Sequence, residues 1–291
     1  MKNAILKTAL ASSLAALAFA FALQAGQAQQ QSAPQQSQQQ PAQPPAKPTL
    51  GQPQTPATGQ APAAAPKVDP AEESAYKQFA DLKPDDYDGQ IKAGEAFVKQ
   101  YPQSRYNVVV YSRLTTAYYD KQQLDKMYDA AEKALALNPN NLQVLVLTGW
   151  VIPHNIDPND PTADSRLQKS EIYEKRALQL IPMLTKPANL TDAQFTAAKA
   201  QDEAMAHSGL GLTYFREQRA ADSLKELQQS TIGEKPDPVD LFIMGIDQES
   251  LKQYNDAAQS FDKCAQIPGV MQDRCKQQGE KVKAQATQPP K

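Results

Sequence analysis

The residues that could carry out chemistry are few in this chain. It contains two cysteines, Cys264 and Cys275, and two histidines, His154 and His207. The histidines are far apart in the sequence, and neither belongs to a His-Glu-x-x-His or other metal-ligand spacing. The sequence also lacks a glycine-rich phosphate loop, a nucleophile elbow and a paired-carboxylate signature. It therefore predicts no catalytic residue, no metal centre and no cofactor, and we interpret the protein as non-enzymatic.

One acidic stretch, within residues 153–164, offers oxygen atoms of the kind that bind calcium. Its side chains are Asp157, Asn159, Asp160 and Asp164. The stretch lacks the glycine and the distal glutamate of a calcium-binding loop. We expect a surface insertion that starts where Pro153 ends a helix. Its acidic residues are interpreted as caps of a turn, with a metal site as the alternative.

The elements that must position these residues are indicated by a phrase of small, apolar and proline residues. The phrase recurs about every 34 positions after residue 85. Its clearest copy comprises Tyr111, Leu114, Thr115, Tyr118, Met127, Ala131, Ala134 and Pro139. Four further segments match the phrase at some of its positions but not at others. They lie around Tyr87, Leu145, His207 and Leu241. Because each unit must bury its apolar face against its neighbours, the repeat predicts a stack of helix hairpins.

This phrase resembles the tetratricopeptide repeat (TPR), in which aromatic, Leu-Gly and Tyr positions mark the first helix and Ala, aromatic and Pro positions mark the second. The resemblance implies an all-α solenoid of about five antiparallel hairpins plus a C-terminal capping helix. This domain would span residues 71–286, followed by a loose tail at 287–291. Close helix packing needs small residues, so we expect Gly149, Gly211 and Gly245 to face alanines of the second helices.

A long helical pattern departs from the regular unit. It runs from Thr191 to Gln218, and Thr191 with Gln194 forms a capping-box pattern at its start. We expect this helix to project beyond its neighbours. It would either provide an edge for dimerisation or simply be exposed to solvent.

The resemblance also implies a concave face lined by the first helices of successive units. Carried onto this sequence, the partner-binding groove comprises Tyr119, Val146, Trp150, Leu212, Phe215, Arg216, Phe242 and Ile246. His154, Met205 and Ser208 would also point inward. We expect an open apolar and aromatic groove that docks a segment of another envelope protein. The alternative is a structural or assembly role, in which a second copy or the chain's own helix fills this face.

The N-terminal residues resemble an export signal. Two lysines precede an apolar run from Ala9 to Leu23, and Gly26-Gln27-Ala28 is typical of a signal peptidase site. The run of about 15 residues is short for a membrane span of about 20. We predict a signal peptide at residues 1–28 and a periplasmic or secreted protein with no membrane span after cleavage. An uncleaved N-terminal anchor is the alternative.

Composition then separates a linker from the repeat domain. Residues 29–70 are almost entirely Gln, Pro, Ala, Ser and Thr, so they cannot bury enough apolar surface to fold and are predicted to be disordered. The whole chain has a formal net charge of −2 at pH 7. Its lysines and acidic residues are interspersed without a basic block, which argues against nucleic acid as a partner.

The two cysteines flank a predicted turn at Ile267-Pro268-Gly269. Two helices that leave a tight turn bring such positions face to face. In an exported chain, an even pair of this kind is most simply a structural disulfide. A thiol-disulfide catalyst would instead use Cys-x-x-Cys at a helix start. We therefore predict that Cys264 and Cys275 are joined and hold the last helix against the stack.

Overall fold

The computed structural model describes residues 69–233 and 235–287. The predicted signal peptide and nearly all of the predicted linker lie outside these residues, so both remain predictions. The described part contains eleven α-helices, one short 3-10 helix at Ile181–Met183 and no strand. The helices are α1 (Pro70–Ala80), α2 (Tyr87–Gln100), α3 (Asn107–Asp120), α4 (Leu124–Leu137), α5 (Leu142–Asn155), α6 (Ala163–Leu180), α7 (Asp192–Arg216), α8 (Ala220–Ser230), α9 (Pro238–Ser250), α10 (Tyr254–Gln266) and α11 (Gln272–Ala286). The all-α class is confirmed.

The helices are arranged as a stack of hairpins. Helices α1 to α10 pair in chain order, and each pair packs against the first helix of the next pair. The final helix, α11, packs against α10 and also contacts α9. The predicted solenoid of five hairpins with a C-terminal capping helix is therefore confirmed. Within residues 69–233 and 235–287, no helix is both long enough and apolar enough to span a bilayer.

Three hairpins share the same turn. Gln122, Gln218 and Lys252 have positive φ angles of 57°, 63° and 63°, respectively. Each follows the first helix of its hairpin, and the next residue donates its N–H back to that helix, as Gln123 does to the Tyr118 carbonyl at 2.8 Å. The two helices of each of these three hairpins are therefore joined by the same backbone conformation.

The glycines of the first helices do not face alanines, so that prediction was wrong. A Cβ atom on Gly211 would lie 2.5 Å from the side chain of Leu227, and one on Gly245 would lie 2.7 Å from the ring of Phe261. A Cβ atom on Gly149 would lie 2.6 Å from the carboxyl group of Glu174. Each glycine therefore makes room for a large side chain of a second helix.

Helix α5 continues past the residue that was predicted to end it. Pro153 lies in its last turn, and the helix ends at Asn155. Proline has no N–H to donate to the carbonyl of Gly149 four residues earlier. The Ser170 hydroxyl donates to that carbonyl instead, at 2.7 Å. The hydroxyl of Ser170 on α6 thus supplies the hydrogen bond that the Gly149 carbonyl lacks, and α5 continues through Pro153 to Asn155.

The insertion is consequently shorter than predicted and is confined to residues 156–162. Asp157 Oδ1 accepts from the N–H of Asn159 at 3.0 Å, and Asp160 Oδ1 accepts from the N–H of Thr162 at 2.8 Å. These carboxylates cap their own loop, as the turn interpretation predicts.

Helix α7 begins with the predicted capping box. Gln194 donates its N–H to Thr191 Oγ1 at 3.2 Å, and the Thr191 N–H donates to Gln194 Oε1 at 2.9 Å. The helix has 25 residues and contacts both α5 and α6. At the other end of the domain, a disulfide joins Cys264 on α10 to Cys275 on α11, with Cα atoms 5.7 Å apart.

Candidate functional site

A cavity of about 150 Å³ opens on the face formed by the first helices α3, α5, α7 and α9, which we call the inner face. We use the name wall for the lining side chains of Tyr119, Trp150 and Met205, and the name floor for those of Ser208, Ser230, Asp237 and Asp240. Its lining comprises Tyr119, Trp150, Gln201, Ala204, Met205, Ser208, Ser230, Lys235, Asp237 and Asp240.

The aromatic wall is rigid because its members support one another. The rings of Tyr119 and Trp150 meet edge to face, with centroids 6.4 Å apart and planes at 81°. The ring of Trp150 also packs on the ring of His154, with centroids 3.9 Å apart. Burial lowers the pKa of His154 to about 4, so the ring is neutral at physiological pH. The Nδ1–H of His154 then donates to the carbonyl oxygen of Trp150 at 2.7 Å, which holds the imidazole ring in place against Trp150.

The floor of the cavity is built around the carboxyl group of Asp240. Its Oδ1 accepts from the Ser208 hydroxyl at 2.9 Å, and its Oδ2 accepts from the Ser230 hydroxyl at 2.7 Å. Three helices therefore meet at one carboxyl group that is only 2% exposed. Burial and the nearby charge of Asp237 raise the pKa of Asp240 to about 8. Burial therefore favours the neutral form of Asp240 more than that of an ordinary aspartate when the cavity is empty.

Asp237 forms the edge of this floor and also begins α9. Its side chain accepts from the N–H of Val239 at 2.7 Å, which caps the helix. Burial raises its pKa as well. In the part of the chain that the structure describes, no lysine, arginine or histidine pairs with either Asp237 or Asp240. Lys235 also lines the cavity, but within the described chain it forms no ion pair with either carboxyl group.

Two of the eight predicted groove residues, Tyr119 and Trp150, line this cavity. Only a small part of each side chain reaches the cavity, since they are 2% and 6% exposed. Met205 and Ser208, also expected to point inward, lie beside them. The polar floor was not foreseen. Its one sequence signal is the Asp-Pro pair at 237–238, which indicates a helix start with an acidic cap.

The other six residues do not form an open groove, and that expectation was wrong. Val146, Leu212 and Phe242 are core residues, and Phe242 packs edge to face on Phe261 at 5.5 Å. Phe215 and Ile246 are partly buried against the same core. Arg216 donates from Nε to the carbonyl of Pro153 at 3.0 Å. The physical reason is close packing of the first helices, since every residue of α5 from Leu142 to His154 is buried.

A separate buried acid lies between α5, α6 and α7. Glu174 is 0% exposed, and neither carboxyl oxygen has a hydrogen-bond partner among the described residues. Gly149 and Gly209 leave the space that its carboxyl group fills. Burial, with a contribution from the charge of Asp202, raises its pKa well above the ordinary value. Burial therefore favours the neutral form of Glu174 and encloses it, which is unlike a group that reaches a substrate.

The remaining candidates for chemistry are dispersed. His207 Nδ1 lies 2.7 Å from Glu226 Oε2 on α8, whereas His154 is bonded to the carbonyl of Trp150 and does not line the cavity. Across the described chain, no three His, Cys, Asp or Glu side chains form a group that could hold a metal ion.

The fold and the site together define a helical-hairpin repeat protein with a small, partly acidic cavity on its inner face. No protein-family model matches the chain, and no curated protein sequence does so. Among solved structures, the chain is similar to a thermophilic TPR protein from Thermus thermophilus. That similarity has a TM-score of 0.43 and 14% sequence identity, and it covers 73% of this chain and 99% of that one.

Proposed function

We propose that this protein is a non-enzymatic scaffold of the bacterial cell envelope that binds a segment of another protein at the inner-face cavity. The observation that carries the proposal is the cavity itself, whose lining combines the packed aromatic rings of Tyr119 and Trp150 with the buried carboxyl group of Asp240. Stacked repeats use extended surfaces of this kind to hold partners. Aromatic anchors in desolvated sites dominate the energetics of such contacts.

The arrangement of polar groups favours binding over catalysis. The carboxyl group of Asp240 is held by two serines, and no histidine lies on the cavity to act as a base. Glu174 and Asp202 are buried in the packing between helices. A general base must come within hydrogen-bond reach of the proton that it removes, which these positions do not favour.

Two features support a location in the cell envelope. The N-terminal signal pattern predicts export, and the joined pair Cys264–Cys275 suits an oxidising compartment. The closed packing of the inner face changes the expected mode of docking. A partner would rest on the surface and place one side chain in the cavity, instead of laying a long apolar helix in a groove.

Site-specific photo-crosslinking in the native cell envelope tests this function. A photoreactive amino acid replaces Ala204, which lies on the cavity, and in a matched control it replaces Ala221, an exposed alanine at the start of α8. The proposal expects one defined heterologous protein to be crosslinked from position 204 and not from position 221. A crosslink to a second copy of this chain would support the assembly role instead. Equal crosslinking from both positions would reject a site at the cavity.

A further inference from the structure

We propose that the cavity accepts a cationic side chain, lysine or arginine, from an extended segment of the bound partner. The aromatic wall would hold the methylene stem, and the carboxylates of Asp240 and Asp237 would receive the charged head. This inference rests on the proposed function, because the segment is the one that docks on the inner face. It adds the chemical class of the residue that is recognised.

The size of the cavity favours a single side chain over a larger ligand. Sites for drug-sized ligands typically enclose about 300–1,000 Å³. A protein cavity of about 150 Å³ can hold a group the size of benzene. The cavity here measures about 150 Å³ and is therefore suited to one long side chain that enters from the surface.

The wall has the properties that the stem of a lysine or arginine requires. Long cationic side chains bury their methylene groups on apolar surface and keep the charge at a polar edge. Trp150, Tyr119 and Met205 provide such a surface. The wall thus suits the stem of the side chain, and the floor suits its charged head.

The floor distinguishes a cation from other occupants. Each oxygen of Asp240 accepts one serine hydroxyl and has capacity for a further donor. A neutral apolar side chain would fill the space and leave these acceptors unused. An anion would face two acidic residues. An ammonium or guanidinium group donates several hydrogen bonds and brings the charge that the described floor lacks.

Cation binding at this site should be coupled to proton release. The titratable groups on the cavity lining are Asp240, Asp237, Tyr119 and Lys235. Burial raises the pKa of Tyr119 to about 12, so it stays neutral, while Asp240 has a pKa of about 8 in the empty cavity. A bound cation favours the ionised carboxylate and therefore displaces the proton. Affinity should consequently rise between about pH 6 and pH 9, where more of Asp240 is already ionised.

Lys235 is the competing cation of the chain itself. It is exposed and lies on the lining of the cavity. Its ammonium group could swing towards the floor and occupy the same position as the partner's cation. Lys235→Ala should therefore strengthen the binding of a cationic probe.

The test uses the full mature chain and short blocked peptides of Gly, Ser and Ala with one central residue. The central residue is Arg, Lys, norleucine or Glu. The chain has a single tryptophan, Trp150, so its fluorescence reports on the cavity alone. We expect the Arg and Lys peptides to bind at least about tenfold more tightly than the norleucine peptide, and the Glu peptide to bind most weakly. Calorimetry in buffers of different ionisation enthalpy should detect the released proton.

Asp240→Asn is the decisive variant, because asparagine keeps the shape of a protonated aspartate. It should reduce binding of the Arg peptide by at least about tenfold, leave binding of the norleucine peptide unchanged and abolish proton release. Asp256→Asn, at an exposed position of α10, is the matched control and should bind like the unmodified protein. Thermal melts verify that each variant is folded.

Three results would overturn the inference. They are equal binding of the norleucine and Arg peptides, unchanged binding of the Arg peptide by Asp240→Asn, and absence of binding by every peptide. None of these three results changes the interpretation of the crosslinking experiment from position 204. Suppose that a partner is crosslinked from position 204 but the Arg and norleucine peptides bind equally well. The proposed scaffold function would then stand, and only the inference that the partner inserts a cationic side chain would be rejected.

Discussion

Ser170 donates a hydrogen bond from α6 to the carbonyl oxygen of Gly149 on α5, the acceptor that loses its helical donor because Pro153 lacks an N–H. The Ser170 hydroxyl also lies 2.8 Å from Thr213 Oγ1 on α7. The Ser170 side chain thus replaces the hydrogen bond that Pro153 cannot make, and it connects α5, α6 and α7.

Ser170→Ala should destabilise the protein by about 1–3 kcal/mol, because a buried carbonyl would lose its partner. Pro153→Ala restores the N–H that can bond to Gly149. The cost of Ser170→Ala should therefore be smaller in the Pro153→Ala background. Urea unfolding of the two single variants and the double variant measures this coupling. Equal costs in both backgrounds would show that the serine does not compensate for the proline.

The buried acids should make stability depend on pH. Burial raises the pKa of Asp202 to about 7 and that of Asp240 to about 8, and it raises the pKa of Glu174 well above its usual value. At these three groups the folded state binds more protons than the unfolded state above about pH 4, so their contribution to the free energy of unfolding falls as pH rises. Each group contributes a slope of at most about 1.4 kcal/mol per pH unit between its unfolded and folded pKa values.

Glu174→Gln should remove part of this slope, because an amide cannot ionise and has nearly the same volume. We expect the variant to be more stable than the unmodified protein by about 1 kcal/mol or more at pH 8, with a smaller gain at pH 5. Denaturant unfolding at several pH values measures the effect. Glu280→Gln, at a highly exposed position of α11, is the control. A uniform loss of stability in Glu174→Gln at every pH would contradict the argument.

Gly245→Ala should be destabilising, because a Cβ atom there would lie 2.7 Å from the Phe261 ring. Overpacking of this kind costs about 1–3 kcal/mol. Gly233→Ala provides a matched control, since a Cβ atom on Gly233 meets nothing within 4 Å. Thermal melts of the two variants should differ clearly, and equal midpoints would show that the hairpin can open to admit a methyl group.

Phe242→Ala should lower the stability of the protein by about 3–5 kcal/mol, as for a core phenylalanine. The structure supports this because Phe242 is 5% exposed and packs on Phe261. Phe215→Ala should cost less, since Phe215 is only partly buried. Chemical denaturation separates the two outcomes. An unchanged midpoint for Phe242→Ala would restore the sequence-based expectation that this ring lines an open groove.

Local signals in the sequence were sufficient for several parts of the fold. The capping box of Thr191 and Gln194 depends on residues three positions apart, and the pairing of Cys264 with Cys275 depends on one turn. The 34-residue period similarly predicted which helices form hairpins. These features involve interactions within one unit or between units in fixed order.

The inner face could not be predicted in the same way, because it depends on how closely successive units approach. Trp150 and Phe242 were both expected on the open groove, yet one lines a cavity and the other lies in a core. Glu174 resembles an ordinary surface glutamate in the sequence of α6. Its burial depends on Gly149 and Gly209, which are contributed by two other helices. No repeat pattern specifies that three-helix contact.

The disulfide between α10 and α11 makes the two ends of the stack unequal. The last helix is held covalently to its neighbour, whereas α1 buries only Phe79. In a fold whose units contact mainly their neighbours, opening proceeds from an end. Unravelling should therefore be directional: a protease, or a force applied to the chain, would detach α1 first and reach the cavity only after the hairpins before it had opened.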